Sequence, residues 1–205
     1  MSLNLILAIV VGCIFFVCIV VFAIALIYGA THQYVCFDEA FEPHGFTGEN
    51  FSGFGRRYTG EVSGREASCL FPPRHRYPMK FDMSLSANHR VKVSLGASRP
   101  LLTERAWKKL DGPVPGLEDA RVFTDDPGRA RAVLKGRALD AARRLLFADM
   151  MRKEQSRELY LRSGEVLLRR VPPQSGYNRI GVVTAQDVQG WYADLLILAE
   201  AAEAI

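Results

Sequence analysis

The distribution of charge constrains this chain more than any other feature of its sequence. The first 37 residues contain no Asp, Glu, Lys or Arg, so every formal side-chain charge lies at or after Asp38. Residues 5–29 form an uninterrupted run of apolar residues with glycine, cysteine and one tyrosine. A helix of this length measures about 37 Å, and the hydrocarbon core of a bilayer is about 30 Å thick. The sequence therefore predicts a transmembrane helix over residues 5–29, preceded by a short tail, residues 1–4.

Two processing signals compete with an uncleaved helix. The residues Ala23-Ile24-Ala25 fit a signal-peptidase site, but no basic residue precedes the apolar run, and the run is longer than a signal core. The residues from Val10 to Cys13 resemble a lipoprotein box, yet the sequence stays apolar after Cys13. We therefore expect an uncleaved single-pass anchor. Lys and Arg lie only on its C-terminal side, which favours a cytoplasmic position for the C-terminal part.

Beyond the anchor, the composition is that of a folded domain. The whole chain of 205 residues is 49% apolar and 23% charged, which excludes a disordered chain and a multi-span transporter. Residues 30–57 read as a connector in which glycine alternates with aromatic residues. Residues 58–205 read as a single soluble α+β domain of β-hairpins and two long helices. A domain of this size is large enough to fold without disulfides or a structural metal ion.

Local patterns predict the elements of this domain. Alternating apolar residues predict one hairpin from Met79–Leu85 with Val91–Leu95, and another from residues 158–162 with 165–169. A short helix is expected over residues 101–110, with Trp107 on its apolar side. Asp126-Pro127 is a helix-start signal, and the helix predicted after it runs to about Met151, with Gly136 as a possible interruption. A second helix-start signal occurs at Thr184, with Asp187 three residues later.

The motifs that catalysis and cofactor binding require are missing from the sequence. It contains no GxxxxGK[ST] phosphate loop, no GxSxG elbow, no HExxH and no CxxC. The four histidines are scattered without ligand spacing, and Asp125-Asp126 is better explained by helix capping. We therefore predict no catalytic residue, no cofactor and no metal. Cys36 and Cys69 are expected to be reduced, although the sequence leaves their pairing open.

Charge points to one further surface. Between Arg129 and Lys153 there are eight basic and two acidic residues. The simplest interpretation is a solvated basic face. The functional alternatives are attraction to anionic lipid headgroups and docking on an acidic partner. Nucleic acid is not expected as a partner, because no recognition motif accompanies the charge.

Part of the chain resembles a known group of proteins. From about residue 120 to 171, the segments Phe123–Leu134, Leu145-Leu146 and Leu159–Leu168 are similar to the C-terminal half of uncharacterised bacterial membrane-anchored proteins with a soluble domain of unknown function. The resemblance implies an anchored bacterial protein. It covers about a quarter of the chain and transfers no catalytic residue.

These observations favour a single-pass, non-catalytic accessory or structural subunit that stabilises or helps assemble a larger bacterial membrane protein complex, such as an energy-transducing one. Its partners would be other membrane protein subunits and the lipid bilayer. The predicted contact residues combine the helix, the Gly/aromatic segment and the basic segment: Ala8, Gly12, Phe15, Phe16, Phe46, Phe51, Phe54, Tyr58, Arg137, Arg143 and Arg144.

Two other classes of function stay open at this stage. A membrane-tethered enzyme or small-ligand-binding domain would need a deep pocket with convergent polar groups, for which His75, His89 and Asp125 are the candidates. A sensor of anionic lipid surfaces would use Arg143 and Arg144. The sequence identifies neither the partner complex nor the pathway or oligomeric state.

Overall fold

The structure is a computed structural model that describes residues 3–51, 55–72, 81–148, 157–170 and 183–205, with the side chains of residues 3–9 and 25–36 left out. The helices are α1 Leu3–Phe41, α2 Pro127–Val133, α3 Gly136–Phe147 and α4 Ala185–Glu203, and a 3-10 turn spans Glu42–His44. The strands are β1 Thr47–Phe51, β2 Gly55–Val62, β3 Arg65–Phe71, β4 Phe81–Ser86, β5 Val93–Gly96, β6 Lys108–Lys109, β7 Arg121–Thr124, β8 Arg157–Arg162 and β9 Glu165–Arg170.

The described strands form one sheet in the order β1-β2-β3-β4-β9-β8-β5-β7-β6, and every pair is antiparallel. Side chains alternate between its two faces. On one face Tyr58, Cys69 and Met83 lie opposite one another across β2, β3 and β4, and each is fully buried. Helices α3 and α4 pack on this face and close the hydrophobic core.

The helix starts follow the sequence signals. Asp126 accepts a hydrogen bond from the backbone N–H of Arg129, with Pro127 at the first helical position, as predicted. Leu134 and Lys135 separate α2 from α3, and Gly136, the first residue of α3, has φ +51, a conformation that favours glycine. The capping box of α4 is confirmed, because the Thr184 hydroxyl accepts from the Asp187 N–H and the Asp187 carboxylate accepts from the Thr184 N–H.

The hairpin prediction is confirmed at one place and wrong at the other. Strands β8 and β9 pair across Ser163-Gly164, as the sequence indicated. The proposed hairpin of Met79–Leu85 with Val91–Leu95 does not form, because β4 pairs with β3 and β9, whereas β5 pairs with β7 and β8. Alternation of apolar residues sets which face is buried but not which strand is the neighbour. The helix predicted over residues 101–110 is also wrong, since this segment consists of turns, irregular backbone and the two-residue strand β6.

The fold-class prediction was wrong in its transmembrane helix over residues 5–29. In the part of the chain that the structure describes, no helix has an apolar stretch long enough to cross a bilayer.

Candidate docking site on the N-terminal helix

Helix α1 exposes a continuous apolar surface before it reaches the core. Eleven Val, Ile and Phe side chains between Val10 and Ile24 are 38% to 69% exposed. Elsewhere in the described residues, the exposed large hydrophobic side chains are Leu101 and Ile205. Contiguous exposed apolar surface of this kind marks a site of interaction, whereas single exposed residues do not. We call residues 10–24 the apolar segment of α1.

Aromatic packing joins the C-terminal end of α1 to the sheet. Phe37, Ala40 and Phe41 are buried in the core. The Phe41 ring stacks on Tyr58 with centroids 4.5 Å apart and planes at 14°, and the Phe37 and Phe71 ring centroids are 4.2 Å apart. Aromatic pairs of this kind contribute about 0.5–1.5 kcal/mol each beyond the area they bury. The apolar segment is therefore the continuation of a helix whose other end is part of the core.

A half-buried carboxylate fastens the same junction. Asp38 Oδ1 accepts a hydrogen bond of 2.7 Å from the Tyr58 hydroxyl and one of 2.9 Å from Arg56 Nη2, which lies 3.1 Å from Asp38 Oδ2. Burial raises the pKa of Tyr58 well above its usual value, and the hydrogen bond to Asp38 raises it further, so the phenol stays protonated and donates. The Arg56 guanidinium also lies 5.7 Å from the centre of the Tyr58 ring.

Two glycines allow this close packing. A Cβ atom on Gly48 would lie 2.8 Å from Tyr58 Cε1, and one on Gly60 would lie 3.0 Å from the Phe46 ring. Phe46 is itself buried and stacks on Tyr192 of α4, with centroids 5.0 Å apart. The alternation of glycine with aromatic residues thus lets the strands approach the rings that hold α1.

The structure distributes the predicted contact residues over several environments. Gly12, Phe15 and Phe16 lie on the exposed apolar segment. Phe46 and Tyr58 are buried, so they hold α1 in place rather than present a surface. Phe51 is half-buried at the end of β1, with the Arg57 guanidinium 4.4 Å from its ring centre. Two further residues fall outside what the structure describes: the side chain of Ala8 and all of Phe54.

The predicted basic residues lie on α3. Arg137 and Arg143 are exposed. Arg144 is tied to α4, because its Nε is 3.1 Å from both carboxylate oxygens of Asp194 and its Nη2 is 2.6 Å from Oδ1. Arg144 therefore joins α3 to α4. Arg137 and Arg143 are the two members of this group that remain accessible to a partner.

The candidates for small-molecule chemistry do not converge in the described part of the chain. His89 is buried, which lowers its pKa, while Asp125 is exposed beside Lys92, and His75 lies outside the described residues. Over the ranges that the structure describes, no group of three or more His, Cys, Asp or Glu side chains could hold a metal ion. Cys69 is a free, buried thiol, and the side chain of Cys36 is not described.

Sequence reasoning did not predict the role of Asp38 at this junction. It is the first charged residue after the apolar run, and it lies within α1. A carboxylate that follows a long apolar run needs a partner when it is half-buried, and the position of Asp38 directly after that run is the signal that the sequence contains. What the sequence lacks is any indication that Arg56 and Tyr58 are the partners.

Comparison with known proteins adds a likeness of fold. No protein-family model matches the sequence, and no curated protein matches it. The fold is similar to that in the crystal structure of the mycobacterial trehalose monomycolate transport factor A, TtfA, with a TM-score of 0.55 and 13% sequence identity, over 80% of this chain and 90% of that one. At this identity, the likeness shows a shared fold alone.

Proposed function

We propose that this protein is a non-catalytic accessory factor of a bacterial membrane transport complex, and that the apolar segment of α1 binds its partner subunits. The observation that carries the proposal is the concentration of exposed large hydrophobic side chains on residues 10–24. The segment is apolar all round, which is typical of a helix that neighbours cover on several sides. An apolar groove formed by several partner helices would provide such a cover.

The neighbour of similar fold supports the transport context of the proposal. That protein is a mycobacterial trehalose monomycolate transport factor. We place the present protein at the bacterial inner membrane through its partner subunits, with the sheet on the cytoplasmic side. The free thiol of Cys69 is compatible with a reducing compartment.

Purification from the native host in a mild nonionic detergent tests the proposal. The wild-type chain should copurify with stoichiometric subunits that mass spectrometry identifies as parts of a membrane transport system. Phe15→Ser combined with Phe16→Ser should remove those subunits, because both side chains are more than 65% exposed on the apolar segment. Leu101→Ser is the matched control, since Leu101 is 64% exposed but lies outside α1.

Two outcomes would refute the proposal. One is a wild-type chain that always purifies alone. The other is retention of the partners by the Phe15/Phe16 double variant while its circular dichroism and thermal midpoint match those of the wild type.

A further inference from the structure

Part of the sheet face opposite the core is exposed in the described part of the chain. The connection between β5 and β6 lies over the β8 end of this face, where the Leu102 N–H donates to the Tyr160 hydroxyl. Leu167 of β9 is also buried on this face. Strands β2 and β3 border a groove of about 880 Å³, whose lining includes Thr59, Glu61, Glu66, Ser68, Ser84 and Glu165.

The groove has an unfavourable arrangement of charge. Glu61 and Glu66 are directly opposite each other on β2 and β3, and both are exposed. Like charges in this position destabilise a sheet. Glu165 is neutralised by Arg162, whose Nη1 lies 3.4 Å from its carboxylate, but neither Glu61 nor Glu66 makes an ion pair with a residue that the structure describes. A cationic group placed between these two carboxylates would relieve the repulsion.

The exposed side of α2 and α3 has the opposite charge. Residues 127–147 contain six basic residues and one acidic residue. Lys135 and Arg137 are exposed and, within the described ranges, have no carboxylate partner. They lie where α3 begins, and its first turn contains no acidic residue. Positive charge is unfavourable near a helix N-terminus, so an approaching carboxylate would be stabilised there.

The two surfaces lie on different sides of one chain. Helix α3 packs against α4 and β8 on the core face of the sheet, whereas Glu61 and Glu66 project from the opposite face. A chain therefore cannot satisfy its own groove with its own α3. We propose that the groove of one copy binds the Lys135/Arg137 surface of a second copy of this chain, head to tail. Such a heterologous contact leaves one free groove and one free basic surface, so it extends into chains or closes into rings.

Sedimentation velocity of the full chain, measured over a concentration series in a nonionic detergent, tests this assembly. The detergent covers the apolar segment of α1, so association through that segment does not contribute. We expect concentration-dependent oligomers that weaken from 0.1 M to 1 M salt, as the screening length falls from about 10 Å to about 3 Å. Glu61→Lys with Glu66→Lys should raise the dissociation constant at least about tenfold, because like charges then face each other. Lys135→Glu with Arg137→Glu should do the same.

Matched controls separate this contact from a general effect of net charge. Glu104→Lys with Asp119→Lys, and Lys108→Glu with Lys109→Glu, change the net charge by the same amounts at exposed positions elsewhere, and they should leave the dissociation constant unchanged. Combining all four reversals at Glu61, Glu66, Lys135 and Arg137 in one chain should restore self-association. A wild-type chain that stays monomeric, association that survives either double reversal, or a fourfold variant that fails to associate while retaining wild-type circular dichroism would overturn the inference. Binding of inorganic phosphate or a basic peptide without self-association would also overturn it.

Discussion

Replacing Asp38 by alanine should loosen the junction that carries the apolar segment. The side chains of Asp38 and Arg56 are 26% and 19% exposed, so the loss lies between the 0–1 kcal/mol of a surface ion pair and the 3–5 kcal/mol of breaking a buried one. We take about 2 kcal/mol for that pair. The Tyr58 hydroxyl also loses its acceptor, which adds about 1 kcal/mol. Asp38→Ala should thus lower the free energy of unfolding by about 3 kcal/mol.

Urea unfolding of the full chain in nonionic detergent, followed by tryptophan fluorescence, measures this loss. Tyr58→Phe isolates the hydroxyl contribution and should cost about 1 kcal/mol. Glu49→Ala is the control, because the Arg57–Glu49 pair is 3.5 Å long and its side chains are 39% and 58% exposed. It should cost less than about 0.5 kcal/mol. If Asp38→Ala costs no more than Glu49→Ala, Asp38 does not hold the junction and the reasoning fails.

Two further predictions concern the sheet and α4. Gly60→Ala should destabilise the protein by about 1–2 kcal/mol in the same assay, because the added Cβ would press on the Phe46 ring. Gly190→Ala is the control: Gly190 lies in α4 with open space around it, so this change should be neutral or stabilising by up to about 1 kcal/mol. Equal effects of the two substitutions would contradict the prediction. The hydrogen bond from Arg65 lowers the pKa of Glu203, so the stabilisation is complete above the unfolded value near 4.5 and is lost as the pH falls through the lower folded value. Glu203→Gln should flatten the dependence of unfolding free energy on pH below about 4.5, and an unchanged slope would exclude this contribution.

The features that could be predicted from the sequence are the local ones. The start of α2 at Asp126-Pro127 and the capping box at Thr184 follow from hydrogen bonds within four residues, and the β8–β9 hairpin follows from its two-residue turn. Each is determined by side chains adjacent in sequence. No long-range information is needed for any of them.

The features that could not be predicted depend on residues far apart in the chain. Strand β4 pairs with β9, whose residues lie more than 75 positions later, so the hairpin expected from local alternation was wrong. The interpretation of the apolar run as a transmembrane helix rested on the length of that run and its lack of charge, and the described helices do not bear it out. Phe15 and Phe16, which the sequence singled out as contact residues, are exposed on the apolar segment. The contacts of Asp38 with Arg56 and Tyr58 connect α1 to β2 and needed the structure.

In-cell photo-crosslinking tests most directly whether the apolar segment is the surface that binds partners. A photoreactive phenylalanine analogue placed at Phe15 or Phe22, which are 69% and 66% exposed, should give discrete adducts with the same membrane transport subunit. The analogue at Leu101 should give none of these adducts. Absence of adducts from both helix positions, or the same adducts from Leu101, would contradict the account.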